Sequence, residues 1–183
     1  MATHGRDERA WVRGAQAGSI QDLEALFRAH WPRAFRAAYL VVQDRAAAED
    51  IAQEGFLAAV RALDSFDRNR PFGPWLHRIV VNRAIDWARA RSVRREVGEE
   101  AGLAAAVAPP DPPRGGALSR NVATALASLS PEHRAVIVLR YLFEYSPGEI
   151  AGILELPRGT VNSRLRRGLD QLAEQLEVDE DTL

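Results

Sequence analysis

Between positions 158 and 167 the sequence RGTVNSRLRR places Arg158, Thr160, Asn162, Ser163, Arg164, Arg166 and Arg167 within ten residues that contain no acid. These side-chain types suit the edges of paired bases. The arginine fork matches O6 and N7 of guanine, asparagine matches N6 and N7 of adenine, and neighbouring Arg, Ser and Thr can hold phosphates and set the register. Each residue alone is what a solvated helix surface also carries. Together they argue for a reader of the DNA major groove.

For those residues to act together they must share one face of a helix. Val161, Leu165, Leu169 and Leu172 recur every three or four residues and predict the buried stripe opposite them. The stretch before it, SPGEIAGILELP, predicts a first, shorter helix. Ser146 can cap it, Pro147 suits the first helical position, and Glu149 can reach back to the cap's own N–H. Ile150, Ala151 and Leu154 supply its apolar face. A break at Glu155-Leu156 and a restart at Pro157 then predict a helix-turn-helix. Apolar residues over 121–129 and 131–143 predict two helices packed beneath it.

A second basic stretch lies upstream. From Phe66 to Arg95 there are eight arginines against Asp67 and Asp86. Residues 67–74 are rich in turn formers and predict a loop, followed by a helix from Trp75 whose polar face bears Arg78, Asn82, Arg83, Arg89 and Arg91. Aromatic rings beside an arginine-lined helix suit single-stranded nucleic acid, because bases can stack on the rings while the groove neutralises phosphates. A protein that captures an unpaired base also helps to hold a duplex open. Phe66, Arg68, Asn69, Arg70 and Phe72 are the candidates here, with Arg78 and Asn82 behind them; Trp75, Ile79 and Trp87 are expected in the core. Before this, a helix over residues 45–63 is expected to turn Ile51, Phe56, Leu57 and Val60 inward and Glu49, Asp50, Gln53 and Glu54 outward. That acidic face is either solvated or a dock for a basic partner.

The chain of 183 residues has room for two small domains, and its acids and bases nearly cancel, at a net charge of −1. The balance is uneven along the chain, since residues 44–54 hold four acids against Arg45. All 24 basic residues are arginine and there is no cysteine, so disulfides and thiolate metal sites are excluded. No apolar run is long enough to span a bilayer, no secretory signal is evident, and a cytoplasmic setting is expected. An enzyme is disfavoured: the four histidines lack ligand spacing, and there is no glycine-rich phosphate loop or evident catalytic carboxylate pair. No metal and no cofactor are expected. The predicted fold is all-α: a poorly ordered segment 1–18, a helical domain 19–95, a Pro/Gly-rich flexible linker 96–118, a second helical domain 119–176 containing the helix-turn-helix, and an acidic tail 177–183.

The stretches AAAEDIAQEGFLAAVRAL, SFDRNRPFGPWLHRIVVNRAIDWAR, LSPEHRAVIVLRYLFEYSPGEIAGIL and LPRGTVNSRLRRGLDQL, in this order and spacing, resemble bacterial RNA polymerase sigma factors of the sigma-70 family, of the compact extracytoplasmic-function (ECF) type. The resemblance covers most of residues 19–175. It implies a factor that binds core RNA polymerase and directs promoter-specific initiation. The acidic helix, with Asp50, Gln53 and Glu54 at the matching positions, would dock on the clamp helices of the largest subunit, and the second domain on the flap of the second-largest. The loop from Phe66 to Phe72, with Arg78 and Asn82, would capture a flipped base of the minus-10 element. The recognition helix would read the minus-35 element, although Asn162 stands where many relatives carry Lys or Arg. Regulation by a separate anti-sigma protein is also implied. The rival from another class is a polymerase-independent helix-turn-helix regulator, which would bind specific duplex DNA tightly by itself.

Overall fold

The computed structural model describes residues 4–96 and 120–180, and among these all regular structure is helical. The N-terminal part consists of α1 (His4–Gln16), α2 (Ile20–Val42), α3 (Arg45–Ala62) and α4 (Phe72–Glu96). The C-terminal part consists of α5 (Arg120–Ser128), α6 (Pro131–Ile137) continued by a π-turn over Val138–Leu142, α7 (Pro147–Leu154) and α8 (Arg158–Glu180).

Local chemistry sets most of these boundaries. Ser19 accepts from the Asp22 N–H to open α2, Asp44 from the Ala47 N–H to open α3, and Ser130 from the His133 N–H to open α6. Pro32 lies inside α2, which continues through it without dividing into two helices. α4 starts at Phe72, three residues before the expected Trp75, because Pro74 falls in the first turn, where no intrahelical N–H bond is lost. α3 and α4 approach closely at Gly55, where an added Cβ would lie 2.6 Å from Val80 Cγ2.

Four expectations are corrected. Residues 1–18 were expected to be poorly ordered, but 4–16 form α1, whose Val12 is buried with Trp11 and Ala15 packed against the core. Leu57 and Val60 do not face inward: they are 49 % and 36 % exposed, while Ile51 and Phe56 are buried beside Ala48, Ala52 and Ala59. In α8 the stripe runs through Val161, Leu165, Gly168 and Leu172, and Leu169 turns outward. The helix passes so close to α6 that a Cβ on Gly168 would lie 3.1 Å from Ile137 Cγ1. α8 also runs to Glu180, past the expected boundary at 176. Residues 97–118 of the expected linker, and 181–183 of the expected tail, lie outside the described residues.

The two helical halves pack against each other, with α7 on α4 and α6 on both α2 and α4. At their junction the Arg134 guanidinium is buried and donates to the carbonyls of Leu126 (2.7 Å), Ala127 (2.8 Å) and Leu129 (2.7 Å), and across the junction to Val41 (2.5 Å). His77 on α4 meets Tyr145, with Nδ1 2.8 Å from the phenol oxygen, and its ring packs edge-on to Phe143. Arg33 on α2 lies over the Phe143 ring, and Arg89 on α4 pairs with Glu132.

Candidate nucleic-acid interface

The helix-turn-helix forms as its residues dictate. Ser146 accepts from the Glu149 N–H while the Glu149 carboxylate accepts from the Ser146 N–H at 2.8 Å, so both halves of the capping box are present. The Ser146 hydroxyl also donates to the Glu149 carboxylate at 2.7 Å, and this bond, followed by the one from the Ser146 N–H, holds the Glu149 carboxyl below its ordinary range. α7 ends at Glu155, whose left-handed backbone (φ 54°) lets its N–H reach the Ala151 carbonyl. The turn through Pro157 then launches α8, with Ile150, Ile153, Leu154, Val161 and Leu165 buried between the two helices.

On the opposite side of α8, Arg158, Asn162, Arg166 and Arg167 are exposed, and Thr160, Ser163 and Arg164 are half-buried. The Ser163 hydroxyl donates to the Thr160 carbonyl, so the helix itself takes up its proton. The exposed four form one continuous polar face, bounded by Arg164 on the side towards α4. Arg164 lines a cleft between the two halves together with Asn82, Ile85, Asp86, Leu154 and Glu155.

The second candidate set divides. Arg68, Asn69 and Arg70 lie exposed on a loop shaped by Asp67, whose carboxylate accepts from the Asn69 N–H. Phe66 and Phe72, expected as stacking platforms, are instead 7 % and 2 % exposed. Phe66 is tilted against Trp75 (centroids 4.5 Å apart) and edge-on to Phe72, which also packs on Phe56 and His30. Neither ring has a face open to a base; the two anchor the ends of the loop. Arg78 is ion-paired with Glu155 of the helix-turn-helix turn, and Asn82 lines the same cleft. Of the other arginines on α4, Arg91 bonds to Asp44 at 2.8 Å and lies over the Trp87 ring.

The acidic face of α3 is open. Glu49, Asp50, Gln53 and Glu54 are all exposed, and Leu57 continues the same face one turn on. No group of three or more metal-ligating side chains occurs among the described residues, and no helix among them is long and apolar enough to cross a membrane.

Residues 26–94 match the sigma-70 region 2 family model, and residues 119–172 match that of sigma-70 region 4. The chain is 41 % identical over 140 residues to the ECF RNA polymerase sigma factor SigW of Bacillus subtilis, covering 70 % of this chain and 75 % of that protein. It is 37 % identical over 160 residues to the ECF sigma factor SigL of Mycobacterium tuberculosis, covering 85 % and 89 %. The chain belongs to the sigma-70 family, among its ECF sigma factors. The solved structure of CnrH in complex with the cytosolic domain of CnrY superposes on this sigma factor with a TM-score of 0.70 at 29 % identity, over 94 % of this chain and 99 % of that one. The sigma factor RpoE of Bartonella quintana, in complex with the anti-sigma factor NepR, gives 0.71 at 27 % identity, over 87 % and 99 %. This sigma factor therefore directs RNA polymerase to promoters, and its helix-turn-helix lies within the region 4 match.

What the residue pattern alone missed is the engagement of the two halves. His77 with Tyr145, Arg78 with Glu155 and Arg89 with Glu132 are pairs 43 to 77 residues apart in sequence, a separation at which helical periodicity carries no signal.

Proposed function

We propose that the N-terminal domain, residues 19–95, docks on the clamp helices of the polymerase's largest subunit through Glu49, Asp50, Gln53 and Glu54. Its loop from Arg68 to Arg70, with Arg78 and Asn82 behind it, captures an unpaired non-template base of the minus-10 element. The C-terminal domain, residues 119–176, rests on the flap of the second-largest subunit and reads the minus-35 element with Arg158, Thr160, Asn162, Ser163, Arg164, Arg166 and Arg167. The chain itself performs no catalytic step, acts in the cytoplasm, and is held in check by an anti-sigma protein, as the complexes of CnrH and RpoE suggest by analogy. The observation that carries this reading is the open face of α8, acid-free over residues 158–167, on the second helix of a helix-turn-helix whose first helix is capped at both ends.

The closed arrangement explains why such a chain needs the polymerase to bind DNA. Arg78 is ion-paired with Glu155 in the turn of the helix-turn-helix, and Asn82 and Arg164 line one shallow cleft, so groups assigned to two promoter elements lie on either side of the same junction. Docking of both domains on core enzyme would part them. A polymerase-independent regulator would instead bind its specific duplex tightly through the open face of α8 in the free chain.

Run-off transcription with core polymerase and a pool of promoter fragments tests the reading. Initiation that requires the chain is expected; no initiation, with tight duplex binding by the free chain, overturns it. Arg167→Ala should weaken minus-35 binding by holoenzyme about tenfold if its fork reads a base, and an unchanged footprint in the minus-35 region removes that residue from the reading set. Asp50→Arg should weaken assembly with core enzyme at least tenfold, roughly 1.4 kcal/mol. The side chain is exposed, so the fold should keep its thermal midpoint; co-elution of the variant with core at the wild-type level would sink the assignment.

A further inference from the structure

α1 precedes the segment that matches region 2, which begins at residue 26, yet it reaches the base-capturing loop at both ends. Glu8 Oε1 accepts from the backbone N–H of Phe72, the first residue of α4, at 2.9 Å. Two turns further along α1, Gln16 Nε2 donates to the carbonyls of Leu63 (2.9 Å) and Phe66 (3.0 Å). The exposed residues 67–71 are therefore strung between two backbone positions, each held by a side chain of one helix. Glu8 is fixed in turn: its other oxygen lies 3.2 Å from His30 Nε2 on α2, and the His30 ring packs on Phe72. The neighbouring His30 imidazole holds the Glu8 carboxyl below its usual range, so it is ionised at neutral pH and suited to the positive first turn of α4.

From this geometry we infer that Glu8 and Gln16 are positioning residues for minus-10 recognition: α1 is a brace that fixes the span and pitch of the loop carrying Arg68, Asn69 and Arg70. The inference rests on the proposed role of that loop. A short loop reads a base only if its side chains are held within a fraction of an ångström of the productive geometry, and the energy for this comes from supporting contacts rather than from the loop's own exposed residues. Phe66 and Phe72 pin the loop's ends to the core laterally. The bonds from Glu8 and Gln16 fix the backbone at the same two points, where a ring alone leaves it free to rotate.

The test uses holoenzyme assembled with core polymerase. The probe is a fluorescent single-stranded non-template oligonucleotide carrying the minus-10 element recovered from the run-off pool, with a set in which each base of the element is replaced. The double variant Glu8→Ala/Gln16→Ala should lose at least fivefold in discrimination between matched and replaced probes, while assembly with core and binding to minus-35 duplex stay at wild-type levels. Glu8→Gln keeps an acceptor for the Phe72 N–H and should restore most of the discrimination on the Gln16 wild-type background, whereas Glu8→Ala should not. Two results overturn the inference: wild-type discrimination by the double variant, or a parallel loss of core assembly and minus-35 binding, which would make α1 a general stability element. Arg68→Ala and Asn69→Ala separate the two levels of the argument. If they lower discrimination while the α1 variants do not, the brace falls and the loop's role stands; if they too leave it unchanged, the loop does not read the element and both readings fall.

Discussion

Replacing Arg134 with alanine is expected to destabilise the protein by about 4 kcal/mol. The guanidinium is 8 % exposed and has no carboxylate beside it, an arrangement that ordinarily strands a charge. Here the counter-charge comes from helix ends. The carbonyls of Leu126 and Ala127 belong to the last turn of α5, the Leu129 carbonyl follows that turn directly, and the Val41 carbonyl closes α2. The last carbonyls of a helix have no intrahelical partner and carry the negative end of its dipole. One planar fork satisfies four of them at the ends of two helices. Burial lowers the Arg134 pKa to about 10, which leaves it charged at neutral pH. Hydrogen bonds from charged donors contribute roughly 1.5–3 kcal/mol each and are not additive, and deleting the side chain also removes the cost of burying its charge, so the net falls near the sum of two such bonds. Arg134→Met, which keeps the volume without the donors, should fall close to alanine, and Arg134→Lys between alanine and the wild type, because an ammonium cannot reach four carbonyls in one plane. Urea denaturation reads the result. With a slope of about 2 kcal/mol per molar, the alanine midpoint should drop by roughly 2 M. A shift well under half of that would mean that the carbonyls find other donors.

How much of this was legible in the sequence follows the range of each signal. The helix-turn-helix was legible because every one of its cues is local: Ser146, Pro147 and Glu149 fall within four positions, and Pro157 restarts the helix. Its recognition face follows from the same period. Where the stripe was misplaced, at Leu169, the reason is that the buried position belongs to Gly168, which has no side chain to mark it in a hydropathy pattern. α1 was missed for a related reason. It buries little beyond Trp11, Val12 and Ala15, and its other anchors are Glu8 and Gln16, whose polar types argue for solvent until their backbone partners about fifty to sixty residues away are known. Phe66 and Phe72 look like base platforms in a loop-forming, arginine-rich segment. Their burial depends on a cluster drawn from α2, α3 and α4, with His30, Phe56 and Trp75 closing around them. The acidic face of α3 was readable as a face, although Leu57 and Val60 were placed on the wrong side of it.

Acidification from pH 7 to pH 5 should remove about 2 kcal/mol of stability through His77 alone. The imidazole is 2 % exposed at the junction of the two halves, and burial, followed by the positive charge of Arg33 and then by His30, pushes its pKa down from 6.5 to about 3. Its neighbours on every side disfavour a second proton: the Phe143 ring is apolar, and the Tyr145 phenol, itself pushed up to about 12 by burial, stays neutral and supplies no counter-charge. Above pH 6.5 the residue is neutral in both folded and unfolded chains and stability does not depend on it. Below 6.5 the unfolded chain takes up the proton and the folded chain does not, so the unfolded state binds more protons and stability falls as pH falls. The loss accumulates until the folded pKa is reached near 3. By pH 5 it has reached about 2 kcal/mol, a figure set by the distance from 6.5 and almost independent of how far below 5 the folded value lies. The carboxylates whose pKa values are lowered, Glu8, Asp44, Glu132 and Glu149, contribute mainly below pH 5, as the pH drops through their ordinary range, and comparison with a variant that lacks only the His77 imidazole subtracts what they and the other histidines add in common. Urea midpoints measured across that interval should decline for the wild type and stay level for His77→Gln, which keeps a polar group for Tyr145 but cannot titrate. Equal slopes in the two proteins would show that His77 is solvated or protonated in the folded chain, and that the contact between α4 and Tyr145 does not hold the halves together. A steeper wild-type slope places the cost of the proton at the buried imidazole, because Nδ1 can keep its contact with Tyr145 in either protonation state whereas Nε2 is buried without a partner to receive a second N–H.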